Sequence, residues 1–214
     1  VFVAAILDDE EHQKKRKEWV EKTWPEILQR AESKQAIIVF VDEVSFAQWG
    51  SLGRTWAPMG KQPKVKTCGK RKGLKMFGAI EFKTGAFHYV ERDGKFDSEF
   101  YIECLKELMA KYTCPIILIE DGASYHRSQA VNEFKEDMGT KERLFTYRLP
   151  SYSPDRNPIE KLWRTTKRDA THCKYFPTFE DLRSAVLTAF NKYMADATKV
   201  IATMTKLRAE AGLA

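Results

Sequence analysis

Short apolar runs rich in β-branched and aromatic residues recur along the chain and predict β-strands. The first, residues 36–41, is continuous, which is typical of a strand buried on both faces. Four further runs share this composition, at residues 74–82, 87–91, 116–119 and 144–149. Thr84 and Gly85 lie between the second run and the third, and a short connection that contains Gly predicts a hairpin turn.

Apolar residues at helical spacing occupy the segments between and after these strands. Asp97 or Ser98 can cap one helix, a second is predicted over residues 124–138, and Pro158 can occupy the first turn of a third. Two amphipathic helices follow, with apolar stripes at Phe179, Leu182, Val186, Phe190 and Tyr193 and then at Val200, Ile201, Met204 and Leu207. The order of three strands, helix, strand, helix, strand and helices predicts a mixed α/β sheet with helices on its faces.

The N-terminal stretch is polar and also has a helical pattern. Acidic residues at 8–11 precede basic residues at 14–17, an order that suits both i,i+4 pairing and the helix dipole. Pro25 limits or kinks this helix. We expect residues 1–34 to form a helical arm or linker, and residues 35–214 to form one folded domain. Because the chain begins with Val1 rather than Met, we expect a further region ahead of the arm.

The composition indicates a globular protein. Of the 214 residues, 43% are hydrophobic and 31% are charged, which excludes a disordered or membrane-embedded chain. The longest uninterrupted apolar run, residues 1–7, has seven residues, far fewer than a membrane span needs, and it lacks the basic lead-in of a signal peptide. The four cysteines and four histidines form no zinc-binding pattern, and free thiols fit a reducing compartment.

The chain carries a modest excess of basic residues, part of which is concentrated in one segment. Its 36 Lys and Arg against 30 Asp and Glu give a net charge of +6, which fits a nucleic-acid partner without proving one. Residues 61–75 contain seven bases, two glycines and no acid, and so predict a flexible basic loop. The seven bases are Lys61, Lys64, Lys66, Lys70, Arg71, Lys72 and Lys75. A solvated loop and a loop that contacts phosphates both fit, and nucleic-acid chemistry nearby favours the second.

Three acidic positions are candidates for a catalytic site. Asp42 follows the first predicted strand and Asp121 follows the fourth, and sites in open α/β sheets form outside the carboxyl ends of strands. Taken alone, each aspartate also fits a turn or capping residue. Glu160 changes this interpretation, because a proline-punctuated loop delivers it into the first turn of a helix. Three carboxylates are ligands that Mg²⁺ prefers, and two such ions can support phosphoryl transfer.

Three blocks of sequence resemble the catalytic domain of DDE-type cut-and-paste transposases, of the mariner-like superfamily and its bacterial insertion-sequence relatives. The first block is Val41-Asp42-Glu43 with the downstream stretch RTWAPMGKQP at 54–63. The second is DGASYHRS at 121–128, and the third, which is the most specific, is LPSYSPDRNPIEKLW at 149–163. Together with the strand order, the resemblance covers residues from about 36 to 190.

This resemblance implies a ribonuclease H-like fold with a metal-binding catalytic triad at Asp42, Asp121 and Glu160. The triad spacings are 79 and 39 positions. The second spacing is slightly longer than the commonest one in the superfamily, which an insertion near residues 139–142 would explain. Gly122 stands where the superfamily often has Asn, so any hydrogen bond from that amide is absent here.

The resemblance also implies a reaction and its partners. Two Mg²⁺ or Mn²⁺ ions at the triad would activate water to hydrolyse a phosphodiester at a transposon end, and the freed 3′ hydroxyl would attack target DNA at a TA dinucleotide. The implied partners are transposon-end DNA, target DNA and a second copy of the chain in a homodimer on DNA, with no membrane partner. In this superfamily DNA-recognition modules precede the catalytic domain. The implied location is the cytoplasm or nucleoid of a bacterium, which we favour, or a eukaryotic nucleus.

Residues near the triad have competing interpretations. His126, where the superfamily also has a His, could orient a carboxylate, contact DNA, or serve only as a capping or core residue. Glu43 and Glu120 adjoin the triad on strands, where neighbouring side chains point to opposite faces, so we predict structural or peripheral roles for them. We expect Asn157 to fix its loop and Trp163 to lie in the core rather than stack on a base.

Other functions are open on the sequence alone. A ribonuclease H-like nuclease would share the metals but would not join a 3′ hydroxyl to a second DNA. A domesticated, non-catalytic DNA-binding module would tolerate the loss of a triad acid, yet all three acids are present. A glycoside hydrolase with a carboxylate pair is disfavoured by the basic loop and by the absence of an aromatic-rich sugar-binding platform near the acids. Magnesium-dependent activity on DNA would separate these classes.

Overall fold

Five strands pair into one mixed sheet in the computed structural model, which describes residues 9–50 and 56–213. The strands are β1 (Ile37–Ala47), β2 (Gly73–Glu81), β3 (Phe87–Arg92), β4 (Ile116–Glu120) and β5 (Leu144–Arg148). Their order across the sheet is β3-β2-β1-β4-β5, with β1–β2 and β2–β3 antiparallel and β1–β4 and β4–β5 parallel. The predicted mixed sheet is confirmed. Residues 1–8 of the predicted arm, and Arg54 and Thr55 of the first sequence block, lie outside the described residues.

The first strand is longer than the sequence predicted. Its parallel pairing with β4 ends at Phe40 opposite Ile119, but its antiparallel pairing with β2 continues to Ala47 opposite Gly73. Asp42 therefore lies within β1, and the expectation that it follows the end of a strand is wrong. Asp121 does follow the end of β4, as predicted.

Nine α-helices and several shorter helical turns accompany the sheet in the described part of the chain. The α-helices are α1 (Glu10–Glu18), α2 (Trp24–Lys34), α3 (Ser98–Lys111), α4 (Gln129–Glu136), α5 (Met138–Lys141), α6 (Pro158–Thr166), α7 (Phe179–Ala195), α8 (Ala197–Ile201) and α9 (Thr205–Glu210). Asp97 caps α3 by accepting a hydrogen bond from the Phe100 amide at 2.9 Å. The single helix predicted over 124–138 is divided, because Ser128 is extended and caps α4 through its hydroxyl.

The N-terminal helical segment is part of the core. A π-helical turn, Trp19–Thr23, joins α1 to α2, and Pro25 follows in the first turn of α2, where a missing amide hydrogen is tolerated best. Trp19 and Trp24 stack with ring centroids 5.7 Å apart, and both are buried with Ile27 in the main hydrophobic cluster. The segment predicted as an arm thus shares the main core of the domain.

The sheet separates two hydrophobic clusters, as the alternation of side chains along β1 requires. Ile38, Phe40 and Phe46 belong to the larger cluster, with residues of α2, α6 and the C-terminal helices. Val39 and Val41 belong to the smaller cluster, with residues of α3 and Val131 of α4. The predicted apolar stripe of α7 is confirmed, since Leu182, Val186 and Phe190 are fully buried. No helix within the described residues is both long and apolar enough to cross a membrane.

Shortening a buried side chain of α2 should destabilise the whole domain. Ile27 has 0% exposure in the main cluster, so Ile27→Ala should lower the free energy of unfolding by about 2–5 kcal/mol. Gln29→Ala, at an exposed position of the same helix, is the matched control and should change it by less than about 0.5 kcal/mol. Urea denaturation followed by circular dichroism measures both. Equal effects of the two substitutions would show that α2 does not share the core.

Candidate active site

Three structural elements bring the predicted acids within electrostatic range of Asp42. Asp42 lies on β1, Asp121 directly follows the parallel neighbour β4, and Glu160 lies in the first turn of α6. Burial, followed by the negative charges of Glu160, Glu43 and Asp121, raises the pKa of Asp42 well above its usual range. The predicted triad residues are therefore electrostatic neighbours, although they are 79 and 39 positions apart in the sequence.

The loop that leads to Glu160 is held by ion pairs with an N-terminal helix and a C-terminal helix. Arg16 of α1 donates two hydrogen bonds of 2.8 Å to the carboxylate of Asp155. Arg156 donates two more, of 3.0 and 2.9 Å, to Glu210 of α9. Exposed ion pairs contribute little stability, but in each pair one guanidinium nitrogen donates to both carboxylate oxygens, and such charge-assisted hydrogen bonds are short and help to set the geometry. The start of α6 is thereby held in place relative to α1 and α9.

Asp42 is bonded to a side chain of α6. The indole Nε1 of Trp163 donates a hydrogen bond of 3.0 Å to Oδ2 of Asp42. Asn157, which immediately precedes α6, donates from its side-chain amide to the carbonyl oxygen of Val41 at 3.2 Å. Trp163 is 3% exposed, so the prediction that it lies in the core is confirmed. Its contact with Asp42 was not predicted, although a position three residues after Glu160 places it on the same side of the helix.

Asp121 is stabilised in its charged form. Its Oδ1 accepts a hydrogen bond of 2.9 Å from the amide of Ala123 and lies 3.3 Å from Nδ1 of His126. The interaction with His126, supported by the Ala123 amide and by the charge of Arg148, lowers the pKa of Asp121 against the opposing effect of burial. Asp121 and Asp42 thus have their pKa values shifted in opposite directions.

His126 lies between two carboxylates. Its side chain is 1% exposed, and its Nε2 is 3.1 Å from Oε1 of Glu43. Burial lowers the pKa of His126, but its interactions with Asp121 and Glu43 outweigh burial and raise it to about 9. The imidazole is therefore protonated at neutral pH. Among the alternatives that the sequence left open, these contacts favour the orientation of a carboxylate.

Glu43 is structural rather than peripheral, which is one of the two roles predicted for it. Its carboxylate contacts His126, and its charge raises the pKa of Asp42. Glu120 is structural, as predicted, because it is 2% exposed and accepts hydrogen bonds of 3.0 and 3.2 Å from Lys135. The hydroxyl of Tyr101 also donates to Glu120, and the Tyr101 ring stacks on His126 with centroids 4.0 Å apart. No sequence pattern pointed to Tyr101.

The donor set of the site fits a hard divalent cation, but the side chains are not closed around one. Among residues 9–50 and 56–213, no group of three or more His, Cys, Asp or Glu side chains is arranged to hold a metal ion. Asp42 is engaged by Trp163, and Asp121 is engaged by Ala123 and His126. Burial and then repulsion by the neighbouring carboxylates raise the pKa of Asp42, and a divalent cation would relieve that repulsion.

The predicted basic loop is largely confirmed in its conformation and exposure. Residues 56–72 contain no helix or strand, and six of the seven predicted bases are exposed there. Lys75 is an exception, because it lies in β2 and donates to the carbonyl oxygen of Gly94. The Lys72 ammonium lies 3.9 Å from the centre of the Phe179 ring, so part of its interaction is within the protein. Trp56 and Met59 of this segment are fully exposed.

Comparison with known proteins places most of the chain in one recognised family. Residues 37–183 match the family described as DDE superfamily endonuclease, and this range includes all three acids. No curated protein matches the chain.

Solved structures of Mos1 transposase share the fold. The chain matches the "Mos1 transposase paired-end complex with left transposon end" at 16% identity and a TM-score of 0.60, over 92% of this chain and 63% of that one. The "Mos1 Strand Transfer Complex" matches at 17% identity and a TM-score of 0.66, over 95% of this chain and 60% of that one. The "catalytic domain of Mos1 mariner transposase" matches at 16% identity and a TM-score of 0.54, over 93% of this chain and 95% of that one. The chain thus spans about three fifths of the Mos1 chains in those two complexes, and its fold is ribonuclease H-like.

Removing the negative charge of Asp42 should stabilise the protein when no divalent cation is present. The raised pKa means that the folded state holds a proton that the unfolded state releases, so Asp42 costs stability increasingly as the pH rises above about 4. In EDTA at pH 7, Asp42→Asn should raise the free energy of unfolding by about 0.5–2 kcal/mol, and by less at pH 4. Urea titrations at both pH values measure this.

Asp93→Asn is the control for this prediction, because Asp93 is exposed. It should alter stability by less than about 0.5 kcal/mol at either pH. A wild-type protein that is more stable than Asp42→Asn at pH 7 would contradict the repulsion inferred at this site.

Proposed function

Because this chain belongs to the DDE superfamily endonuclease family, we propose that it is the catalytic domain of a cut-and-paste transposase. In this proposal it hydrolyses a phosphodiester at a transposon end and joins the freed 3′ hydroxyl to target DNA at TA. The observation that carries the proposal is that Asp42 of β1, Asp121 at the end of β4 and Glu160 of α6 are electrostatic neighbours: burial raises the pKa of Asp42, and the charges of Glu160, Glu43 and Asp121 raise it further. The likeness to Mos1 complexes with transposon ends supports DNA as the substrate.

We propose Asp42, Asp121 and Glu160 as the residues that would bind two Mg²⁺ or Mn²⁺ ions. Solved Mos1 structures with Mg and with Mn support this choice of metals. When bound, such ions activate a nucleophile and stabilise the leaving oxygen of an in-line displacement. The carboxylates supply hard oxygen ligands, and three of them match the few that Mg²⁺ takes from protein.

His126 would orient and partly neutralise the site without contacting the scissile phosphate. It is buried, it faces Asp121 through Nδ1, and it faces Glu43 through Nε2. A protonated imidazole between two carboxylates limits their repulsion and holds the Asp121 side chain in one orientation. The stacked ring of Tyr101 and the buried Glu120 fix the imidazole from its other side.

The basic loop would position DNA through phosphate contacts. Six exposed basic side chains lie between residues 61 and 72. Contacts with phosphates do not distinguish one DNA sequence from another, so in this proposal recognition of a transposon end would depend on a region ahead of this domain. We propose that the active form on DNA is a homodimer, in which each chain supplies one such loop.

A nuclease without strand transfer is the second candidate. It would use the same three acids and metals, and would differ only in whether a 3′ hydroxyl attacks a second DNA. A strand-transfer assay with a pre-cleaved transposon end separates the two functions, since only a transposase joins the labelled end to a target plasmid. Cleavage without any joined product would favour the nuclease.

Removing any of the three acids should abolish DNA cleavage. Asp42→Ala, Asp121→Ala and Glu160→Ala each delete a proposed metal ligand, and with it both nucleophile activation and leaving-group stabilisation. Cleavage of labelled DNA in Mg²⁺ or Mn²⁺ measures the loss, and Ca²⁺, which accepts a looser geometry, should inhibit the wild type. Asp93→Asn should cut at the wild-type rate. A folded triad variant with wild-type activity would remove that residue from the site.

Neutralising the three bases at the end of the loop that leads into β2 should weaken DNA binding and reduce its salt dependence. If each residue of Lys70, Arg71 and Lys72 neutralises one phosphate, changing all three to Gln should lower the slope of log affinity against log salt by up to about three units. The reduction should fall short of three, because Lys72 already interacts with Phe179. Fluorescence anisotropy at several salt concentrations measures the slope.

The control for the loop replaces three exposed lysines elsewhere, Lys111, Lys141 and Lys192, with Gln. This triple variant removes the same net charge as the loop variant. Because its three lysines lie outside the loop, it should leave most of the slope of log affinity against log salt in place. Equal slopes for the two triple variants would mean that the loop acts only through overall charge and contacts no phosphate.

A further inference from the structure

Glycine occupies a strand-interior position directly beside Asp42. Gly78 of β2 is the cross-strand partner of Asp42 in the antiparallel register of β1 and β2. Directly opposed residues in such a pair project from the same face of the sheet. Glycine weakens a strand interior and often marks a place where another group approaches closely. The position therefore indicates that something lies against the sheet next to Asp42.

The group that lies there is the indole of Trp163. A Cβ added at Gly78 would stand 2.3 Å from Cη2 and 2.5 Å from Cζ2 of Trp163. The indole thus fills the space that a side chain at residue 78 would need, and from there its Nε1 reaches Oδ2 of Asp42. Phe87 and Phe190 contact the ring, with centroids 6.0 and 5.7 Å away, and limit its movement.

Trp163 and Glu160 lie one turn apart on the same helix. A residue three positions further along a helix lies on nearly the same side, so the hydrogen bond to Asp42 fixes both the height and the rotation of α6 against β1. Asn157 provides a second tie at the start of α6, through its bond to the carbonyl oxygen of Val41. Glu160 lies between these two attachment points in the sequence.

We propose that Trp163, supported by Asn157 and by the absence of a side chain at Gly78, is a positioning residue that fixes Glu160 relative to Asp42. This role rests on the proposed function, because it matters only if those two carboxylates act together. Trp163 touches neither substrate nor metal in this scheme. It acts by limiting the orientations of Asp42 and by setting the distance of α6 from β1.

The test exploits a second buried tryptophan. Trp163→Phe keeps an aromatic ring but removes the indole N–H. Trp24→Phe removes an equally buried N–H that has no hydrogen-bond partner within the described residues. Replacing a group that orients metal ligands typically costs roughly 10–100-fold in metal affinity or activity. Trp163→Phe should therefore weaken Mn²⁺ binding to the 214-residue chain, measured by calorimetry without DNA, by about 10-fold or more, whereas Trp24→Phe should leave it unchanged.

A spectroscopic measurement tests the contact independently of metal. Five indole N–H resonances are expected for the five tryptophans, and the one missing in Trp163→Phe identifies Trp163. Asp42→Ala should move that resonance upfield in EDTA, because the acceptor is lost, and should not move the resonance of Trp24. A Trp163 resonance that does not respond to Asp42→Ala overturns the proposal.

Gly78→Ala tests the same contact without removing the indole N–H. The added methyl group should displace the Trp163 ring, shift the same resonance and weaken Mn²⁺ binding as Trp163→Phe does. Gly139→Ala is its control, since the nearest atom to an added Cβ there is 3.6 Å away. A wild-type chain that neither binds Mn²⁺ nor cuts DNA overturns the proposed function. If the wild-type chain binds Mn²⁺ and cuts DNA but the Trp163→Phe variant binds Mn²⁺ equally well, only the positioning role is overturned.

Discussion

The site lies where the pairing of β1 with β4 ends and β1 continues paired with β2 alone. Up to Phe40 this strand is paired on both edges, with β2 and β4, and beyond Phe40 only the antiparallel edge continues. Because β4 ends at Glu120, the chain turns away at Asp121 and leaves one edge of β1 open beside Asp42. Helix α6 packs on the face that Asp42 shares with Gly78. Every other feature of the site depends on this step in the pairing.

The site concentrates negative charge that the fold only partly compensates. Four carboxylates, those of Asp42, Glu43, Asp121 and Glu160, influence one another, and the buried cation among them is His126. The interaction with that cation lowers the pKa of Asp121, whereas burial, followed by the charges of Glu160, Glu43 and Asp121, raises the pKa of Asp42. Residual repulsion of this kind is common at functional sites, where residues are arranged for a ligand rather than for stability.

The N-terminal helical segment contributes to the site as well as to the core. Besides the pairing of Arg16 with Asp155, Nε2 of His12 lies 2.5 Å from the carbonyl oxygen of Ser151. Both contacts reach the loop that precedes Glu160, while Trp19 and Trp24 anchor the same segment in the main cluster. A change in the position of α1 would therefore be felt at the start of α6. This gives a physical route by which a region ahead of the domain could influence the proposed triad.

Local patterns determined most of the secondary structure and the candidate acids. The apolar runs located all five strands, Asp97 marked a helix cap, and the proline-punctuated block identified Glu160, because each of these signals depends on residues close in sequence. Tertiary structure decided the rest. The extension of β1 to Ala47 required β2 as a partner. The contacts of Glu43 with His126 and of Trp163 with Asp42 join residues 83 and 121 positions apart. No local propensity encodes such pairs, since they form only when the sheet and α6 pack together.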